Sequence, residues 1–276
     1  MVARTEGTGR NGSMYYTYFI GPAGSGKSTL TYAIADWLKV TSMESEISDT
    51  VSVACVNLDP GVRWTPYPPD VDVRDFIDYN EVMRTYQLGP NGALVAATDL
   101  IITYIDEIKE EIQDTGADYV FIDTPGQIEL FSFRVAGPKI CKELGGKKKV
   151  VCFLFEPGLV LDPSGFISTL LLSSAVEYRF FLPHLNLLSK SDILDEEEME
   201  RIIGWSENFS SLNTAIDMQV SGMEREKSLR MSKLFEDLGT ISSLIPVSSK
   251  SSAGLDGLYA ELQRIFAGGE DFESET

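Results

Sequence analysis

The feature that most constrains this chain is an apolar, strand-like segment that leads directly into a glycine-rich loop. The segment covers residues 15–20, and the loop reads Gly21-Pro22-Ala23-Gly24-Ser25-Gly26-Lys27-Ser28. The glycines let backbone N–H groups turn toward phosphate oxygens, and the positive end of the following helix dipole favours negative charge there. The pattern therefore predicts a strand, a phosphate-binding loop and the start of a helix, which together hold a nucleoside triphosphate.

Side chains of this loop supply the rest of a phosphate site. We expect Lys27 to neutralise the β- and γ-phosphates and the Ser28 hydroxyl to ligate Mg²⁺. The candidate nucleotide-binding residues of this segment are Gly21, Gly24, Ser25, Gly26, Lys27, Ser28 and Thr29.

Apolar runs typical of strands recur along the chain and alternate with helical patterns. This alternation predicts an α/β fold, a P-loop NTPase three-layer sandwich whose mostly parallel sheet carries helices on both faces. With 276 residues, 43% of them hydrophobic, the chain can bury one large core. The expected strands are 15–20, 51–58, 119–122, 150–155, 185–188 and 244–247, and the expected helices include 28–39, 255–266 and a long helix from Asn91, as its N-terminal cap, to about Gln113.

The domain organisation is predicted from composition along the chain. We expect one P-loop domain over residues 14–267, preceded by a disordered lead (1–13) and followed by an acidic disordered tail (268–276). Residues 195–239 are rich in charge and have helical spacing, which predicts a mostly helical insertion. That insertion is either a solvated surface element or a docking face for a partner.

Charge and composition exclude several classes of function. The net charge of −19 argues against direct nucleic-acid binding, because the phosphate backbone selects Lys- and Arg-rich surfaces. No apolar run approaches the roughly eighteen residues of a membrane span, and residues 1–13 lack the apolar core of a signal peptide. Cys55, Cys141 and Cys152 are typical of buried cytosolic thiols, so we expect a cytoplasmic protein.

Polar motifs follow two further strands, where they would meet the phosphate loop. Asp123, at one strand end, is placed to hold Mg²⁺, the Gly126 amide to bind a γ-phosphate, and Gln127 to orient a water. Asp59, in Asn-Leu-Asp-Pro-Gly, has two interpretations. It is either a turn former or a carboxylate that contacts Mg²⁺ and the attacking water.

The last two strands are followed by motifs that suit guanine. In Ser189-Lys190-Ser191-Asp192, the aspartate could accept hydrogen bonds from N1–H and the 2-amino group of guanine, and the Lys190 stem could lie along the base. The usual motif has Asn where this chain has Ser189. Ser248 and Ser249 lie in a short loop whose backbone could contact the guanine oxygen. Taken singly, each motif is equally consistent with a surface loop.

Gly89-Pro90-Asn91 connects these motifs to a known family. Alone, the tripeptide is explained as a turn and helix cap. Together with 21–29, 59–61, 72–75 and 123–129, it makes the chain resemble GPN-loop GTPases, a family in the signal-recognition-like branch of P-loop GTPases. The resemblance extends from about Tyr15 to Phe266. The family includes single-copy archaeal proteins, and this chain resembles such a member.

The resemblance implies a homodimer in which each Gly-Pro-Asn loop reaches the partner's nucleotide. It then assigns Asn91 to the γ-phosphate or water region in trans, Asp59 and Gln127 to the water, and Ser28 with Asp123 to Mg²⁺. Family members also read guanine with Ser- or Thr-Lys-x-Asp, which fits Ser189. Eukaryotic relatives assist RNA polymerase II assembly or import, so a related protein client is an expectation. No arginine finger is evident: for Arg63, Arg74 and Arg84, we expect surface or structural roles.

The leading hypothesis is a Mg²⁺-dependent, dimeric GTPase that acts as a switch. Three alternatives remain open: a P-loop kinase, an ATPase, and a nucleotide-gated assembly factor with little turnover. An arginine-rich lid, expected in many kinases, is not evident in the sequence. His184 is expected to be structural.

Overall fold

A parallel sheet forms the centre of the computed structural model, which describes residues 14–44, 51–146, 148–239 and 243–268. Its strands are paired in the order β3-β2-β4-β1-β5-β6-β7, and every pairing is parallel. The strands are β1 Tyr15–Ile20, β2 Val53–Asn57, β3 Val71–Asp72, β4 Tyr119–Asp123, β5 Lys149–Phe155, β6 His184–Leu188 and β7 Ile245–Pro246.

Helices cover both faces of this sheet. The helices are α1 Lys27–Glu44, α2 Tyr79–Thr85, α3 Pro90–Leu100, α4 Ile105–Asp114, α5 Ile128–Ser132, α6 Ala136–Glu143, α7 Pro157–Val160, α8 Pro163–Phe180, α9 Glu196–Glu207, α10 Phe209–Gln219, α11 Gly222–Leu238 and α12 Leu255–Gly268. Apolar side chains of α1 and α12 form one core with the sheet, and those of α3, α4, α6 and α8 form another. These layers confirm the predicted α/β sandwich.

Sequence pattern accounts for the central strands. All residues of β2, β4 and β5 are buried, and each strand is dominated by apolar residues. Continuous rather than alternating hydrophobicity is typical of parallel strands that are covered on both faces. The two-residue strand β3 was not predicted, because a segment this short carries no periodic signal.

The long helix predicted from Asn91 is wrong in two respects. Gly89 is the N-cap, Pro90 is the first helical residue and Asn91 is the second. Proline is well suited to this position, because its missing N–H would have no helical partner. The helix is also interrupted by a 3₁₀ turn over Ile101–Tyr104, which separates α3 from α4.

Helices α9, α10 and α11 occupy most of residues 195–239, between β6 and β7. Gly268, assigned above to the tail, is the last residue of α12. The predicted lead (1–13) and residues 269–276 of the predicted tail lie outside the described residues.

Within the described ranges, no single helix has both the length and the apolar character of a membrane span. One helix pair, Tyr79–Thr85 with Pro90–Asp114, passes the same test only when both arms, which are bent by 111°, are counted together. Cys55, Cys141 and Cys152 are buried free thiols.

Candidate nucleotide-binding site

The phosphate loop lies at the carboxyl end of β1, the strand between β4 and β5. Gly24 and Gly26 have φ values of +80° and +92°, a region that side chains with a Cβ rarely adopt. The Lys190 side chain crosses this loop, because a Cβ built on Gly26 would lie 3.7 Å from Lys190 Cε. The loop therefore has a backbone conformation that depends on glycine, and it lies beside Lys190 of the predicted base-binding motif.

Lys27, the first residue of α1, is 5% exposed and points back into the loop. Its Nζ donates to the carbonyls of Gly21 and Pro22, both at 2.9 Å, and to that of Gly126 at 3.4 Å. Burial lowers the pKa of Lys27 to about 8, although the Asp123 and Asp59 carboxylates oppose this shift. Lys27 therefore brings its positive charge to the point where the first and fourth strands end.

Asp123 closes β4 and is 2% exposed. Burial raises its pKa to about 6, against the opposing effects of Ser28, Lys27 and Tyr67. The Tyr67 hydroxyl donates to Oδ2 at 3.2 Å. The buried Oδ1 has no hydrogen-bond partner within the part of the chain that the structure describes. This carboxylate therefore has one oxygen available for a further ligand.

The residues present fit the Mg²⁺ site of a triphosphate-binding loop. Ser28 and Asp123 are neighbours, since the Ser28 side chain lowers the pKa of the carboxyl group. Among the described residues, no group of three His, Cys, Asp or Glu side chains could hold a metal by itself. A hydroxyl and one carboxylate suit a Mg²⁺ ion that completes its octahedral shell with water and phosphate oxygens. We therefore assign any such ion to the nucleotide complex, not to an all-protein cage.

Asp59 follows β2, and its carboxylate accepts hydrogen bonds from the amides of two glycines, Gly61 and Gly126. Its Oδ1 accepts from the Gly61 amide at 2.9 Å, and its Oδ2 accepts from the Gly126 amide at 3.1 Å. The first bond is the turn-forming role considered above, and the second joins this turn to the loop after β4. Both interpretations of Asp59 are therefore compatible with its geometry. The amide predicted for a γ-phosphate donates here to a carboxylate instead.

Gln127 and Asn91 are both exposed, and neither side chain forms a hydrogen bond with the described residues. Gln127 follows Gly126 directly and precedes α5, so it lies beside the Asp59–Gly126 contact. Asn91 lies on the first turn of α3. Leu94, one turn later, packs on the Asp59 turn, because a Cβ at Gly61 would lie only 2.5 Å from Leu94 Cδ1.

The loops after β6 and β7, which carry the predicted guanine motifs, are joined by a side-chain hydrogen bond. Asp192 is exposed, and its Oδ1 accepts from the buried Ser248 hydroxyl at 2.7 Å. The Ser248 oxygen in turn accepts from the amides of Lys250 and Ser251, both at 3.2 Å. One carboxylate oxygen of Asp192 is therefore held by Ser248, whose hydroxyl is itself held by two backbone amides.

Ser189, where the usual motif has Asn, donates to the carbonyl of Phe155 at 3.0 Å and is 3% exposed. It therefore braces β5 against β6 and does not reach the phosphate loop in the way an amide would. Lys190 has φ +51° and pairs with Glu156 at 3.4 Å. Ser249 is half-buried in the same cluster of loops.

Two further residues of the predicted phosphate site differ in their exposure to solvent. Thr29 is exposed on α1, whereas Ser25 is fully buried, and its hydroxyl lacks a hydrogen-bond partner among the described residues. A Cβ at Gly21 would come within 2.9 Å of that hydroxyl oxygen. Ser25 therefore limits the size of the residue at position 21.

Several polar residues beside the site were not predicted from the sequence. Tyr67 lies in the proline-bearing segment after Asp59, and Glu156 follows β5, next to Lys190. Asn57 and Asp72 lie opposite each other in the β2–β3 pairing. The sequence motif 72–75 contributes to the family resemblance. Only the contacts in the structure show that Asp72 and Arg74 support the Asp59 turn. Arg63 and Arg84 are exposed.

Comparison with known proteins gives a consistent result over nearly the whole described chain. A family model with the description "conserved hypothetical ATP binding protein" matches residues 19–268. A GPN-loop GTPase of Pyrococcus abyssi is 31% identical over 87% of this chain and 92% of its own length. GPN-loop GTPase 3 of Saccharomyces cerevisiae is 30% identical, with 89% and 90% covered.

The chain spans only 59% of another relative, GPN-loop GTPase 1 of Dictyostelium discoideum, at 30% identity. Among solved structures, a GTPase in apo form from Pyrococcus abyssi superposes with a TM-score of 0.78 and 30% sequence identity. That match covers 91% of this chain and 97% of the other.

Proposed function

The chain belongs to the GPN-loop GTPase family, and from that premise we propose that it hydrolyses GTP to GDP and phosphate. We further propose that it requires Mg²⁺, that it works as a homodimer, and that the nucleotide state switches the geometry of the dimer. The observation that carries the proposal is that Lys27 and Asp59 both contact Gly126 at the carboxyl edge of the sheet, where the Asp123 carboxylate is close enough to oppose the effect of burial on the pKa of Lys27.

Each residue has a distinct role in this reaction. The backbone N–H groups of the phosphate loop, to which Pro22 contributes none, and the ammonium group of Lys27 bind the phosphates. Ser28 and Asp123 would hold Mg²⁺, which when bound neutralises charge on the β- and γ-phosphate oxygens. Asp59 and Gln127 orient the attacking water. The bond from the γ-phosphorus to the β,γ-bridging oxygen breaks as the water oxygen bonds to phosphorus. One of the two water protons passes to a phosphate oxygen or to Asp59, and the other stays on the transferred oxygen.

Gly126 links the chemistry to conformation. A γ-phosphate that accepts from the Gly126 amide takes the position that the Asp59 carboxylate has in the structure. Binding of GTP would therefore release the carboxylate from this amide and free Oδ2 for the water. Loss of phosphate after hydrolysis would allow the Asp59–Gly126 bond to form again, which couples turnover to the movement of two loops.

We propose that Asn91 acts in trans. It lies on an exposed first helical turn, where its amide is accessible to a second copy of the chain. An amide donor across an interface would stabilise charge on the γ-phosphoryl oxygens without adding net charge. A protein client, such as RNA polymerase assembly machinery, and a cytoplasmic location remain parts of this proposal.

The choice of guanine over adenine is proposed from Asp192, whose orientation is fixed by Ser248. The carboxylate can accept from N1–H and the 2-amino group of guanine, whereas adenine has an acceptor at N1 and no 2-amino group. ATP is the second candidate, because the description of the matching family model names it.

Competition for a fluorescent GTP analogue, combined with release of labelled phosphate, tests this proposal. We expect GTP to compete at least about 100-fold better than ATP, since polar groups left unpaired in a site built for hydrogen bonds discriminate strongly. Asp192→Asn should reduce that ratio, whereas Asp195→Asn, at the cap of α9, should not. Equal competition by ATP would contradict the choice of guanine. Transfer of label to a nucleoside, with no free phosphate, would favour a kinase.

A further inference from the structure

The turn that carries Asp59 is held by a chain of polar side chains that starts at Arg74. The Arg74 guanidinium pairs with Asp72: Nε donates to Oδ1 at 2.9 Å and to Oδ2 at 3.0 Å, and Nη2 donates to Oδ2. Burial raises the pKa of Asp72, but the hydrogen bonds from Arg74 and Asn57 outweigh it and lower the pKa overall. Asp72 is therefore held as an anion although its residue is only 8% exposed.

The Asn57 side chain connects Asp72 to the backbone of Asp59. Its Nδ2 donates to Asp72 Oδ1 at 2.9 Å and to the Asp59 carbonyl at 3.3 Å. Its Oδ1 accepts from the Asp59 amide at 3.0 Å. The Asn57 side chain is fully buried and thus clamps Asp59 on both sides of its Cα atom.

Arg74 also holds the other end of the turn. Its Nη1 donates to the Val62 carbonyl at 3.2 Å, and the Val62 amide donates to the Asp59 carbonyl at 3.5 Å. One guanidinium group thus holds Asp72, which binds the Asn57 side chain beside Asp59, and also holds Val62, at which the Asp59 turn ends. The planar fork of arginine makes these contacts together, and a lysine ammonium could not reproduce them.

We propose that Arg74 is a positioning residue for GTP hydrolysis, which acts through Asp72 and Asn57 to aim the Asp59 carboxylate. This inference rests on the proposed GTPase function. Arg74 is not assigned to the nucleotide: its three guanidinium nitrogens contact Asp72 and Val62 within its own subunit. The same turn contacts α3 through Gly61 and Leu94, so Arg74 also supports the helix that begins with Gly89-Pro90-Asn91.

Arg74→Ala is the principal test. We expect kcat for GTP to fall about 10- to 100-fold, the range that a displacement of about 1 Å in a catalytic group produces, with KM changed less than about 3-fold. Arg74→Lys, which keeps the charge, should recover little of the loss. Arg225→Ala is the matched control, because Arg225 pairs with Asp217 at 2.7 Å on the insertion helices and should leave kcat unchanged.

A double mutant separates positioning from an independent role. If Arg74 acts through Asp59, then Arg74→Ala should cost little more in the Asp59→Asn background, and millimolar guanidinium should restore kcat only where Asp59 is intact. An undiminished loss in the Asp59→Asn background, or wild-type kcat in both Arg74 variants, would overturn the proposal. Should Arg74→Ala fail to fold, Arg74→Lys alone decides between these outcomes.

Amide hydrogen exchange gives a readout that needs no turnover. The Gly61 and Gly126 amides both donate to Asp59, so we expect both to exchange at least about tenfold faster in Arg74→Ala, with the Gly204 amide of α9 unchanged. Unchanged exchange at both glycines would refute the positioning role. Because this holds whether or not GTP is hydrolysed, failure of the wild-type protein to release phosphate would count against the proposed function alone.

Discussion

At the scale of single residues, the site contains two buried charges whose pKa values are displaced toward neutrality. Burial lowers the pKa of Lys27 to about 8 and raises that of Asp123 to about 6. Such displacements are common where a site must exchange protein contacts for a charged ligand. His184, by contrast, lies away from these groups and contacts the Ser173 hydroxyl at 2.9 Å. Burial lowers its pKa to about 4, which suits the structural role predicted for it.

Lys27→Ala should abolish triphosphate binding. The ammonium group is held by carbonyls of the loop and can turn to phosphate oxygens, and each charge-assisted hydrogen bond of this kind contributes about 1.5–3 kcal/mol. We expect GTP affinity, measured by titration of a fluorescent analogue, to fall at least about 100-fold. Lys39→Ala, an exposed lysine on the same helix, is the control. Unchanged affinity in Lys27→Ala would refute the phosphate assignment.

The contribution of Mg²⁺ to GTP affinity should depend on pH through Asp123. A proton and Mg²⁺ compete for this carboxylate, and its pKa of about 6 means that protonation grows as the pH falls below neutrality. The ratio of affinities with and without Mg²⁺ should be constant above about pH 7 and decline by up to about tenfold per unit below pH 6. Dissociation constants from pH 5 to 8, in Mg²⁺ and in chelator, measure this ratio.

Asp123→Asn should remove most of the Mg²⁺ effect and its dependence on pH. Asp36→Asn, an exposed carboxylate on α1, should leave both intact. A pH dependence that persists in Asp123→Asn would mean that another group binds the metal.

At the scale of elements, the loops proposed to bind the base depend on a close approach between β7 and the start of α12. Gly254 has φ +75°, and a Cβ there would lie 1.9 Å from the Pro246 carbonyl oxygen. The neighbouring Ala253 carbonyl accepts from the Ser248 amide at 3.0 Å. The loop that orients Asp192 is therefore fixed by backbone packing that only glycine allows.

Gly254→Ala should lower stability and weaken guanine recognition together. We expect the free energy of unfolding to fall by about 2 kcal/mol or more, because the backbone must shift and adopt a strained φ. Thermal denaturation and competition between GTP and ATP would measure the two effects.

Gly257→Ala is the control: Gly257 lies three residues later, inside α12, where an added Cβ meets nothing within 4 Å. Alanine there should be neutral or stabilising by up to about 1 kcal/mol. Equal effects of the two substitutions would contradict the packing argument.

At the scale of the whole molecule, the parallel sheet brings the polar ends of β1, β2, β4, β6 and β7 to one edge. Asn91 projects from the first turn of α3 and is exposed, and we propose that a second copy receives it. Hydrolysis would then depend on the concentration of dimer, whereas a site complete in one chain would not.

Asn91→Ala should lower kcat more than GTP affinity, and mixed subunits should recover activity. In a dimer of Asn91→Ala with Lys27→Ala, the first subunit binds GTP and receives the intact Asn91 of the second. We expect turnover above that of either variant alone, with up to one active site per hybrid dimer, measured as phosphate release after heterodimers are verified. No recovery would contradict a role in trans, and equal losses in kcat and affinity would mean that Asn91 shapes the pocket.

The fold class and most strand positions could be predicted from the sequence. Parallel strands that are covered on both faces are rich in apolar residues along their length, and the predicted bounds of β1, residues 15–20, are the observed ones. The edge strand β3 and the interruption between α3 and α4 could not be predicted, because both depend on packing between distant segments. The site assignments at Asp59, Asn91 and Gln127 remain predictions.

Local chemistry sufficed where a function requires residues that are close along the chain. The phosphate loop, the Asp-Thr-Pro-Gly-Gln motif and Ser-Lys-Ser-Asp each follow an apolar run, so the sequence alone predicted that each motif lies at the end of a strand. Only the tertiary structure decided that the Gly126 amide donates to Asp59, that Ser248 orients Asp192, and that Arg74 supports the Asp59 turn. These contacts join segments that are separate in sequence, and their geometry is fixed only when the sheet and the helices above it pack together.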